Sequence, residues 1–458
     1  MDNETKRRDR IGKQANSKSS RLPRTRLARL AHLGELAGKV AGGVLAEGLR
    51  QAARGNLPRA ADLLLTPANA RRVTEKLSEL RGAAMKVGQL LSMDAGDILP
   101  AELAELLARL RADARPMPMS EVVTVMQQSL GEGWEQQFKR FSFTPMAAAS
   151  IGQVHKAISQ SDRNLALKIQ YPGIRQSIDS DIDNVAMLLN VSRLLPKDLD
   201  LEPLLQEAKR QLHEEADYLK EAGHLRRFAA LLKNEPGFLV PGIDEELTRE
   251  NILAMDFLEG EPIESLTTAT QTTRDRVVGL LLELLFRELF EFGMIQTDPN
   301  FANFLYNPSA QQLELLDFGA TRHYSSTVID AYRSLLQAAL HEDRTAMTES
   351  AQTIGYFKDD IHTHQRAAVI ELFVLATEPA RIRGRFDFGA SDLAARIRDA
   401  GMALSFDQGY WHTPPADAIF LHRKLGGLYL LAARLRAKID VRAILEQHLH
   451  KTVATATV

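Results

Sequence analysis

Three polar side chains in the second half of the chain have the types and spacing of a site for a magnesium-bound phosphate. Asp298 and Asn303 stand five residues apart, and Asp317 follows Asn303 by fourteen residues at the start of Asp317-Phe318-Gly319. Mg²⁺ prefers oxygen ligands and takes few protein groups when phosphates complete its shell. Asn303 and Asp317 are therefore predicted metal ligands, and Asp298 is predicted to orient the attacking hydroxyl or water.

This spacing is typical of a protein-kinase catalytic loop, where an Asp precedes an Asn by five residues and an Asp-Phe-Gly follows shortly after a second strand. The simpler interpretation is an ordinary loop turn at Asp298, which the three matching parts disfavour. A second Asp-Phe-Gly begins at Asp387, but it follows the polar segment 381–386 and lacks an Asp-to-Asn loop upstream. We predict that it is a surface turn.

A lysine on a predicted strand supplies the positive charge that a triphosphate requires. In the run 165–170 the two-residue period of a strand places Leu165, Leu167 and Ile169 on one face and Lys168 on the other. Lys168 is predicted to contact the α- and β-phosphates, with a helical acid as its partner. The alternative is a solvated lysine on an edge strand.

Several acids on the predicted helix 202–232 are candidate partners for Lys168. Asp217 and Glu221 stand four residues apart and share a helical face, whereas Glu215 points elsewhere. The residue pattern by itself leaves open which acid pairs with the lysine.

The segment before this strand occupies the position of a kinase nucleotide loop, but it contains a single glycine. Methyl groups in the alanine run restrict the approach of backbone amides to phosphate, so the nucleotide pose or selectivity should differ from that of ordinary kinases. The alternative is helix or core packing. The predicted nucleotide-binding residues of this loop and of the later strand 251–257 are Ala147, Ala148, Ala149, Ser150, Gly152, Met255 and Phe257.

The surrounding elements match this chemistry. A hairpin is predicted at 151–157 and 165–170, helices at 176–194 and 202–232, and a second hairpin at 304–306 and 313–316. The predicted fold class is α+β, a bilobal protein-kinase-like fold with a small β-containing N-lobe, a large helical C-lobe and an N-terminal helical extension.

Composition excludes several other classes of protein. The 458 residues include no cysteine, which excludes disulfides, thiolate metal sites and cysteine nucleophiles. The net charge is −2, yet the first thirty residues carry ten Lys or Arg and three acids. This basic tail is predicted to be a solvated arm, or else a contact for a membrane surface. No aromatic residues interleave with its charges, so no nucleic-acid partner is expected.

Two semi-apolar stretches are too interrupted by charge to span a membrane. Segment 30–49 is predicted to be an amphipathic helix. Segment 277–290 is predicted to be a core helix that ends at Gly293.

The sequence resembles the UbiB (AarF) family of atypical kinases over roughly residues 75–438, closest to its mitochondrial coenzyme-Q branch and the bacterial relatives of that branch. The resemblance includes the Lys-x-Gly-Gln motif, the alanine-rich loop, a Glu-x-Asp motif, the variant catalytic loop and a segment near the C-terminus. The matching positions are Lys86, Gly88, Gln89, 147–152, Glu215, Asp217, 296–303 and 422–427.

This resemblance implies that Glu221 is the partner of Lys168, and that the Lys-x-Gly-Gln helix lies against the Glu-x-Asp region. It also implies ATP or ADP with Mg²⁺ as cofactors. The implied partners are a lipid or quinone precursor, proteins of quinone biosynthesis and a peripheral membrane contact.

The implied domains are 1–55 (basic tail and amphipathic helix), 56–115 (helical extension), 116–260 (N-lobe) and 261–458 (C-lobe).

The expected function is Mg²⁺-dependent ATP hydrolysis or small-molecule phosphorylation that supports ubiquinone biosynthesis. The expected location is cytoplasmic, at the inner face of a membrane, with the mitochondrial matrix as the alternative. A nucleotide-gated scaffold is the alternative function. An ordinary Ser/Thr protein kinase is disfavoured, because the glycine-rich loop, the His-Arg before the catalytic Asp and an Ala-Pro-Glu segment are missing from the sequence.

Overall fold

The computed structural model describes residues 82–83, 86–87, 116–192, 202–298, 300–410 and 414–451. The predicted tail 1–55 lies outside these residues, and so does nearly all of the predicted extension 56–115. Lys86 of the Lys-x-Gly-Gln motif is described and helical, whereas Gly88 and Gln89 fall outside the described residues.

The described chain divides into two compact units. The first holds the described residues up to Ala222 together with Ile243–Phe257, and the second holds Gly223–Gly242 together with the described residues from Leu258 onward. The segment Gly223–Gly242 thus belongs to the second unit, although it precedes the predicted lobe boundary at 260. A sheet-containing unit and a mostly helical unit confirm the predicted α+β class.

The described helices and strands are numbered here in chain order. The α-helices are α1 (Met119–Leu130), α2 (Ile174–Ser192), α3 (Glu202–Glu215), α4 (Tyr218–Leu231), α5 (Gln271–Arg287), α6 (Ser326–Leu340), α7 (Arg344–Ile354), α8 (Thr363–Ala376), α9 (Glu378–Arg381), α10 (Leu393–Met402), α11 (Ala416–Arg434) and α12 (Val441–Leu449). The strands are β1 (Phe138–Phe141), β2 (Ala147–Ala148), β3 (Gly152–Ser159), β4 (Asn164–Gln170), β5 (Phe238–Leu239), β6 (Ile252–Asp256), β7 (Glu261–Pro262), β8 (Met294–Gln296), β9 (Phe304–Asn307), β10 (Gln312–Leu315), β11 (Thr321–His323), β12 (Phe386–Asp387) and β13 (Lys438–Ile439).

The sheet of the first unit is antiparallel, in the order β1-β3-β4-β6, with β2 added to β3. The predicted hairpin is confirmed, because β3 and β4 pair from Gly152 opposite Gln170 to Ile158 opposite Asn164. One face of β4 joins the apolar core of this unit, which also includes Trp134. Burial of alternate aliphatic side chains sets the register, since a slip by one residue would turn them to the opposite face.

Gly152 is required by the close pairing of β3 with β4. A Cβ atom at this position would lie 2.3 Å from the carbonyl oxygen of Ile169. The single glycine of the predicted nucleotide loop therefore has a structural role in the sheet.

The predicted continuous helix 202–232 is wrong, because the chain forms α3 and α4 with a break at 216–217. Asp217 precedes α4, and its Oδ1 accepts the backbone N–H of Lys220 at 3.0 Å. This is the contact of a helix N-cap, for which Asp is a favoured residue. Asp217 and Glu221 consequently do not share a face within one long helix.

The second unit is organised around α5, whose buried apolar face includes Val278 and Leu285. A π-helical turn, Glu288–Phe292, continues α5 and ends at Gly293, which has φ 63°. This left-handed conformation suits glycine, and it confirms the prediction of a core helix with a glycine stop.

Short strands complete the second unit. Strands β9 and β10 form the predicted second hairpin, and β5 and β7 extend it on either side. The second Asp-Phe-Gly lies at the end of β12, where the Asp387 carboxylate accepts the N–H of Gly389 at 3.0 Å and binds Lys438. Asp387 caps an exposed turn, as predicted, although Phe388 is buried.

Among the helices in the described ranges, none combines the length and apolar character that crossing a bilayer would require.

Replacing Gly152 by alanine should destabilise the first unit. The added methyl group meets backbone rather than a mobile side chain, and overpacking of this kind typically costs about 1–3 kcal/mol. We expect a lower urea midpoint for Gly152→Ala. The control is Gly223→Ala in α4, where an added Cβ meets no atom within 4 Å. Equal midpoints for the two variants would contradict the role of Gly152 in the sheet.

Candidate active site

Lys168 and Glu221 form a buried ion pair in the first unit. Lys168 Nζ lies 3.0 Å from each carboxylate oxygen of Glu221, and the two residues are only 7% and 1% exposed. The Tyr218 ring lies 5.2 Å from the same ammonium group. The helical acid that the family resemblance implied is therefore the one in contact with the lysine.

Strand β4 positions Lys168 as its residue alternation requires. Leu165, Leu167 and Ile169 belong to the apolar core, so the opposite face of the strand carries the ammonium group. Strands β3 and β6 flank β4 and hold it on both edges. The prediction that Lys168 faces away from the apolar layer is confirmed, whereas a solvated edge lysine is excluded by its burial.

The Lys-x-Gly-Gln and Glu-x-Asp motifs meet through their charged residues. Lys86 Nζ lies 2.5 Å from Glu215 Oε1, and Lys86 is buried. The hydroxyl of Ser150 donates to the other carboxylate oxygen of Glu215. Glu215 therefore connects the helical residue Lys86 to the predicted nucleotide loop, a link that the sequence pattern did not reveal for Ser150.

The alanine run of the loop forms a tight turn. Ala147 and Ala148 pair with Val154 and Gln153 as β2, and the Ala149 N–H donates to the Gly152 carbonyl at 2.9 Å. The methyl groups of Ala147 and Ala148 are therefore exposed, whereas that of Ala149 is partly buried.

Met255 and Phe257 lie at the end of β6. Met255 is buried and pairs with Ala166 of β4, and the Phe257 N–H donates to the Asn164 carbonyl at 2.9 Å. Lys156 Nζ lies 3.9 Å from the centre of the Phe257 ring. The structure therefore places both residues beside the strand that carries Lys168.

The second unit holds Asp298, Asn303 and Asp317. Asp298 Oδ2 accepts from Asn303 Nδ2 at 2.9 Å, and its Oδ1 accepts the backbone N–H of Asn300 at 3.2 Å. A carboxylate only accepts hydrogen bonds, so the amide nitrogen of Asn303 must face Asp298. The amide oxygen, which is the atom suited to Mg²⁺, is thereby oriented away from Asp298.

Asp317 is joined to Asn303 through the backbone. The Leu316 N–H donates to the Asn303 carbonyl at 2.9 Å, and Asp317 Oδ1 accepts the Gly319 N–H at 2.9 Å. The ring of Phe318 is buried against Phe228, with ring centres 4.5 Å apart. These contacts connect the two predicted metal ligands through their backbone.

The donor set fits Mg²⁺ bound to phosphate. Within the described ranges no cluster of three or more His, Asp or Glu side chains forms a ready metal site. Two oxygen ligands suffice for Mg²⁺ when phosphate and water provide the others, and Asn303 and Asp317 are of this type.

Side chains outside the sequence motifs anchor the backbone around the predicted metal ligands. The Phe318 carbonyl accepts from His224 Nδ1 at 3.1 Å and from the hydroxyl of Thr321 at 2.8 Å. The hydroxyl of Thr297, next to Asp298, donates to the Ala320 carbonyl at 2.7 Å.

A buried ion pair between Glu288 and Lys424 supports the strand before Asp298. The two charges are in contact, and Glu288 Oε1 also accepts the backbone N–H of Gln296 at 3.4 Å. Burial raises the pKa of Glu288 and lowers the pKa of Lys424. The sequence offered two signals for this pair. One is an acid within an apolar helix, and the other is a lysine within the segment 422–427.

A strand lysine paired with a helical glutamate, together with an Asp-to-Asn loop and Asp-Phe-Gly, defines a protein-kinase-like protein. The sequence model of the ABC1 atypical kinase-like domain matches residues 109–351, which is more than half of the chain. The chain belongs to this family, and the predicted resemblance to the UbiB (AarF) family is confirmed.

Named relatives are similar over almost the whole chain. The mitochondrial atypical kinase COQ8 of Saccharomyces cerevisiae is 39% identical, over 95% of this chain and 87% of the relative. The mitochondrial atypical kinase COQ8B of Rattus norvegicus is 36% identical, over 95% of this chain and 82% of the relative. These relatives support an atypical kinase role.

One solved structure has a related fold. It is the complex of Rv3197 with erythromycin from Mycobacterium tuberculosis, with a TM-score of 0.57 and 25% sequence identity. The match covers 90% of this chain and 99% of the other.

Removal of the Asp217 cap should destabilise the start of α4. We expect Asp217→Ala to lose about 1 kcal/mol of unfolding free energy, and Asp217→Asn to retain most of it, because Asn is an equally good N-cap. Urea unfolding measures both. If Asp217→Asn is as unstable as Asp217→Ala, the carboxylate charge matters more than the cap.

Removal of Lys424 should destabilise the second unit more strongly. Lys424→Met leaves the Glu288 carboxylate buried without its partner, which typically costs about 3–5 kcal/mol. The double variant Glu288→Gln/Lys424→Met removes both charges and should recover part of this loss.

The Lys424→Met defect should grow with pH. Without Lys424 the folded-state pKa of Glu288 rises further above its unfolded value, so the protonated form stabilises the fold at low pH and this stability is lost as pH increases. We expect a larger deficit relative to wild type at pH 8 than at pH 5, measured by urea midpoints. A deficit independent of pH would contradict this account.

Proposed function

We propose that this protein is an Mg²⁺-dependent, ATP-binding atypical kinase or ATPase that supports ubiquinone biosynthesis. The observation that carries the proposal is the buried contact of Lys168 with Glu221, because an ammonium group held in this way is ready to bind a phosphate. The kinase role of the named relatives supports it.

Each predicted residue has a role in this proposal. Lys168, oriented by Glu221, binds the α- and β-phosphates, and Asp298 orients the attacking hydroxyl or water. Asn303 and Asp317 hold Mg²⁺, which neutralises phosphate charge when bound. Such a reaction depends on positioning and electrostatic stabilisation rather than on covalent chemistry by the protein.

The nucleotide loop would bind ATP or ADP in its own way. Ala147, Ala148 and Ala149 present methyl groups where an ordinary kinase loop has glycines, and Ser150 is engaged by Glu215. Met255 and Phe257 would contact the base. We propose that this loop restricts the nucleotide pose or selectivity.

The proposed partners are those that the family resemblance implies. We propose a lipid or quinone-precursor substrate, protein partners of quinone biosynthesis and peripheral contact with a membrane. COQ8 and COQ8B are both mitochondrial by name, which favours the mitochondrial matrix over the cytoplasmic location expected first.

Purified full-length protein should bind and hydrolyse Mg²⁺-ATP, tested with and without anionic vesicles and phenolic quinone precursors. Asp317→Asn should lower the hydrolysis rate about 100-fold, because a charge that stabilises the transition state is lost. Lys168→Met should weaken ATP binding at least about tenfold, since a charge-assisted contact is removed. The matched control is Lys139→Met, which removes an exposed strand lysine of the same sheet.

Two outcomes distinguish an enzyme from a nucleotide-gated scaffold. If wild type hydrolyses ATP no faster than Asp317→Asn under every condition, an enzymatic function is excluded. A nucleotide-gated scaffold would then be supported if a variant that binds ATP without hydrolysis restored quinone levels in a deletion strain. Failure of Lys168→Ala to restore quinone at a protein level equal to that of wild type, with rescue by wild type, would connect the site to the pathway.

A further inference from the structure

The second unit contains a large apolar cavity that the proposed ATP chemistry does not use. Its volume is about 720 Å³, and its lining comes from α5, α6, α8, α10, α11, α12 and the segments between them. Ligand cavities in proteins typically measure about 300–1,000 Å³ and are mostly apolar with a few placed polar groups.

The apolar wall of the cavity is open to solvent in places. Leu425 and Leu430 of α11 line it and are 39% and 60% exposed. Apolar side chains that remain exposed around a cavity mark a binding site more often than scattered surface leucines do.

One chain of polar groups reaches the lining. The hydroxyl groups of Tyr332 and Tyr356 lie 2.8 Å apart, and the Tyr356 hydroxyl lies 2.5 Å from His422 Nε2. All three residues line the cavity. Among the described residues, His422 Nδ1 has no hydrogen-bond partner, so one imidazole nitrogen remains available to a ligand.

The polar end of the cavity is neutral. His422 lines the cavity, and the burial of its ring among the surrounding side chains lowers its pKa to about 4. Arg398 also lines the cavity, but its guanidinium binds Asp399 at 3.1 Å. A ligand carboxylate or phosphate at His422 would therefore meet a neutral imidazole.

A hydroxyl group suits this position in either state of the imidazole. If Nε2 accepts from Tyr356, then Nδ1 carries the proton and donates to the ligand oxygen. If Nε2 donates to Tyr356, then Nδ1 accepts from the ligand. A hydroxyl both donates and accepts, whereas a carbonyl fits only the first arrangement.

We propose that this cavity binds a neutral long-chain alcohol, with its chain among the leucines and its hydroxyl on His422 Nδ1. The inference goes beyond the proposed function and does not depend on ATP binding.

Equilibrium dialysis of the full-length protein against tritiated 1-dodecanol, without nucleotide, tests the proposal. We expect micromolar binding and at least tenfold weaker binding of dodecanoate at pH 7.5. Failure of wild type to bind dodecanol, or equal binding of dodecanoate, would overturn the proposal.

A cavity-filling variant provides the structural test. Gly426 of α11 lines the cavity, and a Cβ there meets no atom within 4 Å. Gly426→Leu should weaken dodecanol binding at least tenfold with an unchanged circular dichroism spectrum. The matched control is Gly279→Leu on α5, which also has an open Cβ position but lies outside the lining, and it should bind as wild type does. Equal affinities for the two variants would overturn the proposed location.

A second variant tests the hydroxyl contact. His422→Phe keeps an aromatic ring against Tyr356, where the ring centres are 5.4 Å apart, but removes the hydrogen bond. Dodecanol binding should weaken about fivefold, because its hydroxyl loses one hydrogen bond. The affinity for dodecanoate should stay the same. Unchanged dodecanol binding in this variant would overturn the assignment of His422.

Discussion

The architecture of the first unit depends on one buried ion pair, Lys168 with Glu221. Taking an ammonium and a carboxylate out of water is costly, and their attraction offsets this cost only when the geometry is good. Here both carboxylate oxygens lie 3.0 Å from Nζ. The strand and helix that carry the two charges must therefore be placed accurately.

The Glu-x-Asp motif has two separate physical roles. Asp217 caps α4 at the N–H of Lys220, one residue before Glu221, and so sets where the helix that carries the glutamate begins. Glu215 lies before the break and binds Lys86 and Ser150. The break in the helix at 216–217 separates these roles, because a continuous helix would not free Asp217 to act as an N-cap.

The residue pattern predicted the presence of the helices and strands better than the residues at which they begin and end. Alternation along 165–170 identified both faces of β4, since a strand has a period of two. The same pattern could not locate the break between α3 and α4, because Ala216 and Asp217 lie within a run that has good helical periodicity. Contacts between residues far apart in sequence, such as Glu288 with Lys424, leave no local signal beyond a charge in an apolar segment. The roles assigned to Lys168, Asp298, Asn303 and Asp317 in nucleotide chemistry remain predictions.

A predicted Mg²⁺ site with only two protein ligands depends on the backbone that positions them. Asn303 and Asp317 are linked by the hydrogen bond from Leu316 to the Asn303 carbonyl, so movement of one displaces the other. The strand before Asp298 is held at Gln296 by Glu288, whose charge is balanced by Lys424. A neutral residue at 288 would leave that N–H with a weaker acceptor, and a neutral residue at 424 would leave the carboxylate buried alone. Each of these two buried charges therefore depends on the other.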